Sequence, residues 1–234
     1  MMNILSSPIA VVGVFLCLAL SACGDKEPAQ RKEFMEFLQT RILDKQGARV
    51  PRLSDNQKEA FGPYTKDYAI ITDFAADRSL EQRFSAIMTK VSIRSSSDLV
   101  ARREDLISGQ KLIAELDSAI DQSLATAEVA KAQLKQPDDL RTIFDKVYER
   151  DVTTVAKSIK QMFPPIQDMI VAALRVSDFI AQHKDRIEIT GTMVTAKDQE
   201  TLSALQPLLK DFNTRGQAVL ALQRTVRATL GVRN

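Results

Sequence analysis

One histidine and two cysteines are all that this chain of 234 residues offers to imidazole or thiol chemistry. His183 lies in the stretch Ala181-Gln182-His183-Lys184, near the end of a predicted helix. There a histidine can bond the last helical carbonyls or sit as a cation against the helix dipole. No Ser, Cys or metal-ligand partner stands at a recognisable spacing from it, so the structural role is preferred to catalysis. Asp138-Asp139 has the chemistry of a metal ligand pair, but adjacent acids behind Pro137 fit a helix start better. Glu149 and Asp151 flank Arg150 and read as a solvated face rather than a carboxylate pair. No Gly-rich phosphate loop, HExxH or GxSxG is present. The chain reads as a non-enzyme with no cofactor and no metal.

The cysteines carry a different chemistry. Cys17 and Cys23 both fall within an amino-terminal segment that has no charged side chain from Met1 to Gly24. Ile9 to Leu20 is an unbroken apolar run. A membrane span needs about 20 apolar residues, so the run has the length of a secretory signal core. Leu20-Ser21-Ala22-Cys23 resembles the bacterial lipobox. Cleavage is then expected between Ala22 and Cys23, with a diacylglycerol group on the Cys23 sulfur and acylation of the new amine. Each buried CH₂ contributes about 0.8 kcal/mol, so two or more chains give a stable anchor in membrane lipid. The alternative is an uncleaved signal anchor, since residues 4–22 could just reach across a bilayer. The start also departs from the usual pattern, because Met1 to Pro8 contains no Lys or Arg.

Loss of the signal removes Cys17 and leaves Cys23 alone. An intramolecular disulfide, a cysteine zinc site and a thiol active site deeper in the chain are excluded on that basis. Among sorted lipoproteins, an Asp directly after the cysteine favours inner-membrane retention. Gly24 stands there instead, which favours the outer membrane with the protein facing the periplasm; Asp25 comes one position later.

The rest of the chain must supply the body. Its 32 basic and 30 acidic residues nearly cancel, which argues against a surface built on nucleic-acid phosphates. Few Gly and Pro, no Trp, and many Ala, Leu, Lys and Arg favour helix. Phe34, Phe37, Leu38 and Ile42 fall at helical spacing, ended by Gly47 and Pro51. Ser54 and Gln57 form a capping-box pattern, and Gly62-Pro63 interrupts the helix that follows. Tyr64 leads a further helix with Tyr68, Ile71, Phe74 and Ala75 on one face. Ser95 to Asp98 looks like another start, for one helix reaching Leu134. Leu99, Leu106, Ile113, Ile120, Ala127 and Leu134 recur along it every seven residues.

Pro137 stops that helix, and Asp138-Asp139 is expected to cap the next, which runs to about Phe163. Pro164-Pro165 must break or kink it there. Ile166, Met169, Ile170, Ala173, Leu174 and Ile180 mark the helix beyond. Arg186 to Thr195 alternates in β fashion and reads as a loop or small hairpin. The last helix carries Leu202, Leu205, Leu209, Phe212, Val219, Val226 and Leu230, with a kink expected at Pro207. Its seam and the earlier one fit internal packing or contact between copies. The fold expected is all-α: an elongated multi-helix bundle. The organisation expected is a signal peptide at 1–22, a lipidated cysteine and short tether at 23–30, and a single helical domain at 31–234.

Two exposed-contact candidates follow. Phe61 and Tyr64 flank a helix break, where aromatic side chains can reach a partner, although core packing is their commoner fate. Arg102-Arg103, and Arg224, Arg227 and Arg233, are basic clusters that read as solvated surface or as contacts to anionic lipid or a partner.

The stretches Gln30–Gln39, Leu53–Ile70, Leu134–Asp145 and Val176–Gln182, placed in this order behind a lipobox, resemble the uncharacterised YiaF-type lipoproteins of Gram-negative bacteria. The resemblance runs through most of the chain. It implies an envelope location and transfers no catalytic or binding residue. The function expected is a tethered protein without catalytic activity that docks on an envelope protein through a helical face. The alternative is a helical module that holds a small hydrophobic or lipid ligand between its helices.

Overall fold

The computed structural model describes residues 26–47, 50–190 and 193–230. Ala22, Cys23 and Arg233 lie outside the described residues. The described residues form a helical bundle with one small hairpin, as expected.

Helix α1, Glu27–Phe37, begins inside the stretch expected to be a tether, and runs directly into a π-helical turn, Leu38–Leu43. Phe34, Leu38 and Ile42 are all fully buried. Apolar residues four apart drift by about 40° per step on an α-helix of 3.6 residues per turn. A wider π turn absorbs that drift and keeps the three on one face. Helix α2, Asp55–Phe61, starts at the Ser54–Gln57 capping box and ends at Gly62, whose φ of 53° suits glycine. Helix α3, Tyr64–Ala75, turns back so that Tyr64 and Tyr68 meet Phe34, Phe37 and Phe61 in an aromatic cluster with ring centroids 5.1–6.3 Å apart.

Helix α4 is Arg78–Lys90. The single helix expected from Ser95 to Leu134 is instead two: α5, Ser96–Ala101, and α6, Arg103–Ala132, broken at Arg102. Arg102 leaves helical geometry (φ −109°, ψ 20°) and donates to the carbonyls of Ser92 and, at 2.6 Å, Thr89. Those carbonyls close the end of α4, so the break serves a neighbouring helix. Leu106, Ile113, Ile120 and Ala127 are buried, which makes their seven-residue repeat an internal seam.

Helix α7, Asp138–Tyr148, starts behind Pro137 without a side-chain cap; Asp138 and Asp139 occupy its first turn, where their charge suits the helix dipole. A second π turn, Glu149–Thr153, joins it to α8, Thr154–Lys160. Helix α9, Phe163–Gln182, takes the two prolines in its first turn, and so the predicted break falls there. It runs through the centre against α5 and α6, with Ile166, Ile170, Ala173 and Val176 buried. Strands β1, Ile187–Thr190, and β2, Met193–Ala196, pair antiparallel with Ile187 opposite Ala196. Asp198 caps α10, Gln199–Thr229, which continues through Pro207 and packs along α9. Among the described residues no helix is long and apolar enough to cross a membrane.

Candidate ligand pocket

The residues singled out for contact are largely committed inside the molecule. Phe61 and Tyr64 are 3 % and 7 % exposed, and the Tyr64 hydroxyl donates to Glu27. Burial in the aromatic cluster, with that hydroxyl satisfied at its edge, removes them as an outward contact surface. Besides closing α4, Arg102 pairs with Asp105 at 3.2 Å; Arg103 reaches Asp178 of α9 at 2.8 Å. These guanidiniums brace helices, while the Arg103 side chain stays 41 % exposed. Nδ1 of His183 lies 2.9 Å from the Phe179 carbonyl, and its ring stacks on that of Phe179, matching the structural role expected of it.

The Arg150 segment overturns a prediction more sharply. Leu140, Phe144, Tyr148, Val152 and Ala156 are spaced by four and all buried. On an uninterrupted α-helix four such steps would drift by about 160°. The π turn at Glu149–Thr153 cancels this drift, and Asp151 comes to lie on the inner side with its side chain 0 % exposed. Glu149 alone stays on the solvated face. Arg150 donates to both Asp151 carboxylate oxygens, from Nε at 2.9 Å and Nη2 at 3.1 Å. Its Nη1 donates to the carbonyls of Ile42, at 2.6 Å, and Lys45, so it also closes the first π turn. Burial holds the Asp151 carboxyl above the usual range, while Arg150 pulls it down. Burial, with the nearby Asp151 charge added, pushes the Tyr68 phenol up; its hydroxyl donates to the Pro51 carbonyl at 2.8 Å.

Beside Asp151 a cavity of about 390 Å³ opens between α3, α4, α6, α8 and the last turns of α10. Phe74, Phe84, Ile120, Ile159 and Val226 each bring an apolar side chain to its wall from a different helix. Sites for small molecules have about 300–1,000 Å³ and mostly apolar walls with a few polar groups. Here Asp77, Gln223 and Arg227 are the lining residues with polar side chains that reach solvent. Arg227 was noted in the sequence as part of a basic cluster; the pocket beneath it was not foreseen. Among the described residues no three His, Cys, Asp or Glu side chains gather into a group that could hold a metal ion.

A family model described as a protein of unknown function, DUF3053, matches residues 9–227. The chain belongs to this family. It is 28 % identical over 215 residues to Uncharacterized protein YiaF of Escherichia coli K12, covering 91 % of this chain and 90 % of that one. The same figures hold for YiaF of Escherichia coli O157:H7 and of Shigella flexneri. No solved structure matches the chain. The YiaF-type resemblance read from the sequence is thereby borne out. In this DUF3053 member the cavity beside Asp151 is the feature best formed for binding.

Proposed function

We propose that this DUF3053 protein is a lipid-anchored, periplasm-facing module of the outer membrane that binds a small hydrophobic ligand and catalyses nothing. The observation that carries the binding reading is the cavity of about 390 Å³ with its mainly apolar lining. The anchoring reading is supported by Leu20-Ser21-Ala22-Cys23 and by Gly24 after it. Docking on an envelope protein, the first expectation from sequence, is the second reading, less favoured because Phe61 and Tyr64 are buried.

Two measurements test the two halves separately. Cys23→Ser should move the protein out of the outer-membrane fraction and remove the mass of the acyl chains. An unchanged distribution would sink the anchor. Native mass spectrometry of the protein taken from membranes in mild detergent should show a non-covalent apolar companion. That companion should vanish in Ala156→Phe, which fills the cavity from α8. A bare protein that also fails to take up an apolar dye would sink the binding reading.

A further inference from the structure

The lining of the cavity has no unclaimed charge to offer a ligand. Asp151 touches the wall, but its side chain is 0 % exposed and both its oxygens are held by Arg150. Asp77 and Arg227 already have partners within the protein. The other polar side chain of the lining is Gln223, a neutral amide. The rest of the wall is hydrocarbon and aromatic ring, with Phe74, Phe84, Ile120 and Val226 among its sources. A polar head group placed inside would lose its water without gaining a partner. The part of a ligand that enters must therefore be hydrocarbon, and a head of either sign must stay in water.

Size limits that part further. At roughly 30 Å³ for a group the size of a water molecule, the cavity of about 390 Å³ holds about a dozen non-hydrogen atoms. One alkyl chain fits that space; a second chain or a sterol-sized ring system does not. The place of the cavity points to the same class. Helix α3 carries the Tyr64–Glu27 bond at its start and the wall residue Phe74 about 15 Å further along, at 1.5 Å per residue. On the anchoring proposed above, the leaflet lies beside the Glu27 end, and its apolar groups are acyl chains. A lipid with one chain binds a bilayer only marginally and leaves it readily, whereas two chains make a stable anchor. The one-chain lipid is the one free to travel to this wall.

We infer that the cavity takes the tail of a single-chain lipid, about a dozen carbons of it, and reads the length of that tail rather than the charge of the head. The inference rests on the binding and anchoring readings above and adds the class of ligand to them.

The test begins with the full-length protein taken from membranes in nonionic micelles and weighed by native mass spectrometry. Its companion should have the mass of a free fatty acid or of a lysophospholipid, which tells the two one-chain sources apart. The protein freed of that companion is then offered dodecanol, dodecanoate, dodecyltrimethylammonium, hexadecanol and didodecanoyl phosphatidylethanolamine in equal amounts. The three dodecyl probes should be retained within about fivefold of one another, the most that one exposed ion pair gives. The micelle competes for every CH₂, so each carbon left outside the cavity lowers retention by up to about fourfold. Hexadecanol should therefore fall at least about tenfold below dodecanol, and the two-chain lipid should not be retained. Phe84→Ala, which enlarges the cavity from α4, should bring hexadecanol back towards dodecanol. Ala156→Phe should lower retention of every probe. If neither a companion nor any probe is retained, the binding reading itself fails. A companion that is not a one-chain lipid, retention of the two-chain probe, a preference above about tenfold for one head charge, or a length preference that Phe84→Ala leaves unmoved would overturn the ligand class while leaving a hydrophobic pocket in place.

Discussion

Gly109 of α6 has no side chain because Val91 stands where one would be: a Cβ there would lie 2.7 Å from Val91 Cγ1. Val91 is buried, and its β-branched side chain has little rotameric freedom, so the contact has no easy relief. Gly109→Ala should therefore lower stability by about 1–3 kcal/mol despite the better helix propensity of alanine. Urea denaturation followed by circular dichroism reads this, and Val91→Ala in the same chain should return part of the loss. A stabilised single variant would mean that α4 and α6 do not pack this closely.

Gly216 of α10 makes the opposite case. A Cβ there meets nothing within 4 Å. Gly216→Ala should raise stability by about 0.5–1 kcal/mol, from propensity and a less flexible unfolded chain. A loss on the same denaturation curve would show that this position needs glycine for another reason.

Arg150 supports Asp151, the Ile42 carbonyl of the first π turn and the Lys45 carbonyl just beyond it at once. Arg150→Met leaves a carboxylate buried without its partner and should cost about 3–5 kcal/mol at pH 7. A raised native pKa means that the folded state holds the Asp151 proton more tightly than the unfolded chain does. Stability is then gained on protonation and lost as pH rises through the native value. Removing Arg150 removes the influence that lowers it, so the penalty should shrink between pH 8 and pH 5. A penalty independent of pH would trace the loss to the carbonyls alone.

Asp98 responds to acid in the other direction. It completes the capping box with Ser95, and the backbone amides of Arg94 and Ser95 and the Ser95 hydroxyl hold its carboxyl below the usual range. Its contribution is present above the ordinary carboxylate pKa and lost as pH falls through the lowered one. Asp98→Ala should melt earlier than the parent at pH 7, and the two melting temperatures should converge towards pH 2. A gap that persists in acid would count against the cap.

The chain contains no tryptophan, so one placed in the cavity is a lone reporter. Phe84, partly buried on the α4 wall, accepts the larger ring most readily. In Phe84→Trp, a saturating apolar ligand such as dodecanol should shift the emission to shorter wavelength as water leaves the ring. No shift, while the ligand is bound by mass, would put the ligand elsewhere.

Much of the frame was legible in residues that act locally. Ser54 with Gln57, Ser95 with Asp98, the paired prolines before Ile166 and the alternation around Ile189 each satisfy or deny backbone bonds within a few positions. The seven-residue seam of Leu106, Ile113, Ile120 and Ala127 told which face is covered, though not by what. The break at Arg102 escaped notice because the carbonyls it serves belong to α4 and are brought there only by packing. The inward turn of Asp151 depends on the π turn, whose trace in the sequence is the run of buried positions four apart from Leu140 to Ala156. The cavity drew on residues from Phe74 to Leu230, and no spacing along one element could reveal it.

The early start of α1 carries one more meaning. Only Gly24, Asp25 and Lys26 separate Cys23 from Glu27, and Glu27 is held to the core through Tyr64. Four peptide steps reach at most about 14 Å even when straight. A chain acylated at Cys23 would thus have almost no leash, and its body would ride against the lipid surface. On the anchoring proposed above, such a body would be confined to the first layer beside its own leaflet, and a ligand would have to reach it from there.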